Sequence, residues 1–390
     1  MPGGLTIAVL LTAAVVLGVV GLWKSDLGRR PRPDLTTLAG SRLPEESPLA
    51  GSLSCRDCHP GETAGHEASG HARTLQPAAA TEAAHAIDGR RFDDPALPGQ
   101  SWSYRIEGSR LVAERRENGE FRSRQLLDLA LGSGAHATTF VSLSPDPAGG
   151  PLSGLEHRLT YYRHEGSMGV TPGQAAAQDQ PGRSPDGFAL SPARLLDCLS
   201  CHGTHAAPAS GSLRPETFLP NVHCERCHGP AREHVRRAEA GIRSERLLAL
   251  PFGPGRATAA DQIELCGRCH RLPSMVPAES IVPENAALAR FPSVGLVQSA
   301  CYTRSAGQLR CTTCHDPHAR AASAANRYEA ACLDCHASGP VDPATEPIPM
   351  RQVPCPVNPD SGCVGCHMPA REVGYGLRFT DHWIRRRADG

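Results

Sequence analysis

Residues 311–318 read CTTCHDPH. Cys311 and Cys314 lie three apart, His315 follows at once, and His318 comes three residues later. The same C-x-x-C-H pattern recurs at Cys55–His59, Cys198–His202, Cys224–His228, Cys266–His270, Cys332–His336 and Cys363–His367, seven occurrences in all. Fourteen of the sixteen cysteines fall inside these repeats, and only Cys301 and Cys355 stand outside them. The repeat therefore has to account for the cysteine content of the chain.

A C-x-x-C pair can ligate zinc, close a redox disulfide or attach a haem. Zinc needs a second pair and gives no reason for a histidine fixed at the next position. A redox disulfide gives no reason for seven copies. Covalent c-type haem explains both features: the two thiols add to the porphyrin vinyl groups, and the adjacent histidine becomes the proximal iron ligand. The expectation is seven covalently attached haem c groups. Their attachment residues are Cys55 and Cys58, Cys198 and Cys201, Cys224 and Cys227, Cys266 and Cys269, Cys311 and Cys314, Cys332 and Cys335, and Cys363 and Cys366. The proximal ligands are His59, His202, His228, His270, His315, His336 and His367.

The chain of 390 residues is long enough for two or three ordinary domains. Aromatic residues make up only 4%, against 39 Gly and 35 Pro, which points to loops rather than a large protein-only core. Six of the motifs crowd between Cys198 and His367, so haem faces are expected to form much of the interior there. The expected fold is mostly α, with irregular loops wrapped round a packed haem array, a small antiparallel β insertion and an N-terminal transmembrane helix. The 40 basic residues balance 40 acidic ones, which gives no argument for a nucleic-acid partner. Lys24 is the only lysine; the other basic residues are arginines, whose planar fork suits haem propionates. A simple codon bias toward arginine would leave the same trace.

Leu5 to Trp23 form an uncharged apolar run about one bilayer span long. A cleaved signal peptide is the alternative, but no basic n-region precedes the run and no A-x-A site follows it. Lys24, Arg29, Arg30 and Arg32 after the run would place that side in the cytoplasm. Covalent haem chemistry demands the opposite side and carries more weight. The expected location is the bacterial cytoplasmic membrane, with the haem domain facing the periplasm. Residues 1–24 are then the anchor, 25–51 a linker, 52–86 the first haem segment, 87–185 a haem-free segment containing β structure, and 186–390 a hexahaem region with a C-terminal ligand tail.

Within the haem-free segment, SWSYRIEGSRLVAERRENGEFRSRQLL (101–127) alternates polar and apolar residues. Turn signals at Glu107-Gly108-Ser109 and Glu117-Asn118-Gly119 divide it into an antiparallel meander. LEHRLTYYRH (155–164) suggests another strand. The reading prefers a structural cap over the haem array to a docking or gating module. Helices nearer the motifs are expected to be short, as at 232–240 and 323–331.

Eighteen histidines less the seven in the motifs leave His66, His71, His85, His136, His157, His164, His205, His223, His234, His318 and His382. That is more than the seven needed to place a second imidazole on every iron. A histidine soon after its own motif is too close in sequence to cross its own porphyrin, so it is expected to reach a neighbouring haem.

Several phrases resemble one group of multihaem cytochromes c. CRDCH followed by SGH, CHGP followed by EHV, CTTCHDPH, CVGCHMP and a terminal TDH are similar to the hydroxylamine-oxidoreductase-like and nitrifier tetrahaem cytochrome superfamily. They are closer still to uncharacterised bacterial C-x-x-C-H proteins, some fused to tetratricopeptide repeats. GSG-x-H and YY…TPG (Tyr161, Tyr162, Thr171, Pro172 and Gly173) precede the cluster as they do there. The resemblance spans most of 52–385 and implies His71, His136, His234, His318 and His382 as distal ligands. Such relatives often carry tryptophan at the position of His66, so it is not counted. Ammonia-forming nitrite reductases use a C-x-x-C-K motif, and no lysine follows Lys24, so that mechanism is excluded.

The function expected is electron transfer in a periplasmic or respiratory chain, with redox proteins in or at the membrane as partners. One alternative is a multihaem oxidoreductase acting on a small nitrogen or sulfur compound at one open haem; Tyr161, Tyr162 and His164 would line such a site. A second is a haem-relay subunit of a larger respiratory complex. The oxidising compartment suggests that the spare Cys301 and Cys355 form a disulfide, with a reactive thiolate as the other reading.

Overall fold

The computed structural model describes residues 43, 47–146, 148, 150–174, 181–205, 218–244, 257–305, 307–321, 326–336 and 355–387. The apolar run at 5–23 lies outside them. Among the described residues no helix is long and apolar enough to cross a membrane.

The reading of a mostly helical chain is overturned. Fifteen strands occupy four antiparallel sheets among the described residues. The longest helices there run only eleven or twelve residues. The β structure is not a small insertion but the larger part of the haem-free half. Strands β2 (Arg91–Asp93), β3 (Gln100–Glu107), β4 (Arg110–Glu117) and β5 (Glu120–Leu127) pair in sequence order. The turns fall at the Gly108 and Asn118-Gly119 signals, because residues with positive φ suit the tight connections of a right-twisted hairpin.

A seven-stranded sheet packs beside it. It comprises β1 (Leu75–Pro77), β6 (Leu129–Leu131), β7 (Ala137–Ser144), β8 (Ser153–Tyr162), β9 (Ser167–Val170), β10 (Arg183–Ser184) and β11 (Gly187–Leu190). The order is β1-β6-β7-β8-β11-β10, with β9 on β8. Alternation along β3 turns Trp102 and Tyr104 inward to meet Leu111, Leu127, Phe140 and Leu159. Helix α2 (Glu82–Ile87) closes this core with Ala84 and Ile87. Thr81 caps α2 by accepting a hydrogen bond from the Ala84 amide.

Two polar networks hold the core in register. Arg158 pairs with Asp94 at 2.7 Å, and both side chains are almost fully buried. The His157 ring hydrogen-bonds Tyr104 Oη at 2.8 Å and Gln125 Oε1 at 2.9 Å, edge-on to Trp102. His157 is thus a core residue rather than a ligand.

A second core cluster gathers Leu75, Leu129, Val141, Leu143 and Leu190 with Leu195 and Leu199. The last two belong to helix α3 (Pro192–His202), which Ser191 caps and which carries the second motif at its end. α3 therefore joins the β half to the motif-rich half. Both core clusters lie between Leu75 and Phe218. Beyond them the buried apolar residues are scattered, with Ile263, Leu288, Val294 and Leu377 among them. Two short hairpins complete the strands: β12 (Gly203–His205) with β13 (Phe218–Pro220), and β14 (Ala370–Glu372) with β15 (Arg378–Thr380).

Burial pushes the His157 proton affinity from its ordinary 6.5 down to about 3. Between those values the unfolded chain binds a proton that the folded chain excludes, so stability falls as pH falls through this window. The slope contributed reaches about 1.4 kcal/mol per pH unit. The variant His157→Gln keeps hydrogen-bonding capacity without titrating. Chemical denaturation followed by circular dichroism should show wild type losing stability faster than the variant between pH 6 and 4. Parallel curves would contradict a neutral buried His157.

Candidate haem-attachment and ligand sites

Each motif is built on about one helical turn. The second ends α3. The others lie at α4 (Cys224–His228), the end of α6 (Ala259–His270), α9 (Cys311–Cys314), the end of α10 (Asn326–His336) and α11 (Cys363–His367). The first starts in a 3₁₀ turn, Ser52–Cys55, ahead of helix α1 (Pro60–Glu67). Residues three and four apart share one helix face, so both thiols and the imidazole project to the same side. That is the donor set covalent haem needs.

The motifs do not stand apart. The thiols of Cys55 and Cys224 share a hydrogen bond, as do Cys201 with Cys269, Cys266 with Cys311, and Cys332 with Cys363. Cys227 lies beside Cys266, and Cys314 beside Cys332. The motifs thus run first–third–fourth–fifth–sixth–seventh, with the second branching from the fourth. Named contacts hold this order. Glu225 of α4 accepts from the Ala50 and Gly51 amides ahead of the first motif, at 2.8 Å each. Arg226 donates to the Ser200 carbonyl in the second motif. Gln262 of α6 hydrogen-bonds Thr312 of the fifth.

Four of the proposed distal histidines stand opposite motif histidines. Ring centres are 6.4 Å apart for His59 and His234, 6.2 Å for His270 and His71, 5.9 Å for His228 and His318, and 6.1 Å for His315 and His382. Every one of these pairs joins a motif to a histidine that follows a different motif. A metal between two imidazoles, at about 2 Å per bond and about 1 Å from each nitrogen to its ring centre, requires about 6 Å. The observed separations fit an iron between the rings. His136 behaves differently: its ring lies 4.8 Å from Phe379, and no motif histidine is paired with it among the described residues. His202 and His367 each place Nδ1 on a backbone carbonyl, of Thr74 and Arg385. No second histidine ring is paired with these two or with His336 among the described residues. His205 belongs to β12, but its side chain is outside the described set.

Burial lowers the proton affinity of His71, His270, His315 and His382, with neighbouring imidazoles adding to the effect at all but His315. Rings kept neutral offer a lone pair to a metal. Carbonyls orient them: Pro317 holds His71, and Thr380 accepts from His382 Nδ1 at 3.0 Å.

Two glycines let distal backbones approach. A Cβ at Gly65 of α1 would collide with the His318 carbonyl oxygen. One at Gly295, in helix α7 (Pro292–Gln298), would sit 2.7 Å from the Trp383 amide nitrogen. The His382 tail is also tied by Ser299, whose Oγ donates to the His382 carbonyl and accepts from the Ile384 amide. Asp381 is its electrostatic anchor. The carboxylate is 4% exposed and faces Arg371, Arg385 and Arg387. Burial alone would raise its pKa, but Arg387, the Trp383 amide and Arg385 bring it below the ordinary value.

Cys301 and Cys355 do not pair; both are free thiols. Cys301 lies beside Cys314 and Cys335, and Cys355 is held by the amides of Val357 and Asn358, near Cys363. Sequence reasoning also left His223 without a role and set His66 aside, yet their rings face each other at 6.3 Å. Nothing in the linear order marks them as partners.

Replacing Asp381 with Ala would leave three guanidinium groups crowded without their counter-charge. Loss of one partner of a buried ion pair costs about 3–5 kcal/mol. Limited trypsin digestion should then cleave the Asp381→Ala tail at Arg385–Arg387 well before wild type. An unchanged digestion pattern would remove Asp381 from its anchoring role.

The family described as cytochrome c554 and c-prime matches residues 171–229, across the second and third motifs. The doubled CXXCH motif family matches residues 304–340, across the fifth and sixth. Among solved structures the chain is similar to the outer cell wall cytochrome OcwA, at 16% identity and a TM-score of 0.32. That alignment covers 57% of this chain and 37% of the other, so this chain spans little more than a third of its length. No curated protein matches. A cytochrome c family over one pair of motifs and a doubled CXXCH motif over another support the reading of a multihaem c-type cytochrome.

Proposed function

We propose that the chain is a heptahaem electron-relay protein in which at least four irons are held between two imidazoles. The observation that carries this reading is the set of four motif-to-distal histidine pairs at 5.9–6.4 Å. Each attached haem supplies an iron that takes up and releases one electron.

The residues of the chain do the rest. Fourteen cysteines would fix the position of the groups, and because the cysteines of successive motifs are neighbours each attachment site would stand against the next. At the four paired sites imidazoles would present nitrogen from both sides, which would leave no coordination position there for an exogenous molecule and little to reorganise on a change of charge. Pro317 and Thr380 carbonyls fix ring orientation. The fourth motif touches the second, third and fifth, which supports a branch point there rather than a simple line. The reading places the chain on the oxidising, periplasmic side of a bacterial membrane, with redox proteins at that membrane as partners.

A pyridine haemochrome assay on mature protein should give seven haems per chain; five or fewer would refute full loading. In dithionite-reduced protein at neutral pH the four paired irons should bind no carbon monoxide, so uptake should not exceed about three equivalents per chain. A fourth equivalent taken up by wild type would mean that one of the four pairs does not close on an iron. Gly65→Ala should push His318 away and add about one carbon monoxide site, together with a high-spin ferric signal. Gly61→Ala on the same helix, where a Cβ meets nothing within 4 Å, should be silent. Identical spectra for the two variants would mean that His318 ligates no iron.

A further inference from the structure

The geometry points to a metal-ion site between His66 and His223 that is separate from the seven haem positions, suited to a divalent first-row transition-metal cation. Neither residue belongs to a C-x-x-C-H motif or to the four motif-to-distal pairs. Their ring centres nevertheless lie 6.3 Å apart, within the range of those pairs. Their planes are inclined at 41°.

Each ring is anchored in the way a ligand is. His66 sits on α1 with one ring nitrogen against the Val222 carbonyl, and His223 is held by the Pro220 carbonyl. A histidine held through one nitrogen by a carbonyl has its tautomer set and turns the other nitrogen outward as a donor. His66 is only 9% exposed, so its polar ring has been taken out of water for some return. The two rings come from segments distant in sequence, and the Val222 amide bonded to the His71 carbonyl helps hold those segments together. The nearby carboxylate of Glu67 is engaged by Arg56. Two imidazoles 6.3 Å apart would stand on opposite sides of the metal, which suits tetragonal copper(II) with solvent completing the shell rather than tetrahedral zinc, and the general order of divalent affinities also puts copper first.

The site does not depend on how many haems are loaded, so the test reads a different metal. Mature haem-loaded protein is incubated with one equivalent of Cu²⁺, desalted, and analysed for copper and iron by mass spectrometry. Wild type should keep about one copper per chain, and His66→Asn and His223→Asn should each lose most of it with iron unchanged. His85→Asn, at an exposed histidine, should retain it. Copper loss without iron loss supports the site. Failure of wild type to retain copper overturns it. Iron falling in step with either variant also overturns it, because the pair would then be holding a haem iron. Should a variant fail to load haem at all, the wild-type copper spectrum decides. Electron paramagnetic resonance should resolve splitting from two imidazole nitrogens, and a copper signal without it rejects the site.

Discussion

Two imidazoles can take opposite faces of one metal only when their ring centres are held about 6 Å apart, and four histidine pairs in the motif-rich half of this chain meet that spacing. Carbonyls orient the rings of His71 and His382 among them. Each pair brings together segments far apart in sequence, and under the proposed ligation the pairs would act as long-range cross-links in a region with few buried apolar residues. Close approach is then a steric condition on the backbone. Gly65 meets it beside His318, and Gly295 meets it beside the His382–Trp383 tail. Asp381 supplies the matching charge, gathering three arginines that would otherwise repel one another.

The β half obeys a different rule. Its interior is made of Trp102, Tyr104, Phe140 and Leu159, with Arg158–Asp94 and the His157 network satisfying the polar groups enclosed there. It has a protein core of its own. Helix α3 belongs to both halves: Leu195 and Leu199 face the second core cluster, while Cys198, Cys201 and His202 at the same end form an attachment site. The Thr74 hydroxyl and carbonyl both bond His202, which ties that site to the first haem segment as well.

What could be read in the linear order was whatever has a short period. The C-x-x-C-H spacing is complete within five residues, and the alternation of 101–127 with its Asn-Gly turn marks β3, β4 and β5. The expectation of a mostly helical fold fails for a physical reason. Low aromatic content points to little protein core, but the few aromatics present are concentrated in the β half, where Trp102, Tyr104, Phe140 and Tyr162 are all buried. The strands from β6 to β11 include short and irregular runs whose pairing is set by neighbours rather than by their own pattern. Ring pairings were legible only in kind. That distal histidines serve other motifs follows from chain geometry, whereas which motif each one meets depends on tertiary packing, and so does the meeting of His66 with His223. The spare cysteines illustrate the same limit: an even number suggested a bond, and the fold put Cys301 among the fifth and sixth motifs instead.

The crossed histidine pairs also impose a schedule on biogenesis. A chain delivered N-terminus first presents the cysteines of the first motif long before His234 emerges, and those of the fifth before His382. Covalent attachment can follow the order of export, but under the proposed ligation completion of each iron cannot. Until the C-terminal tail docks on α7, the fifth site would present an iron face open to dioxygen. A chain interrupted between His315 and His382 would be a reactive by-product rather than a silent fragment, so the tail anchored by Asp381 acts as the seal that makes the finished molecule chemically quiet.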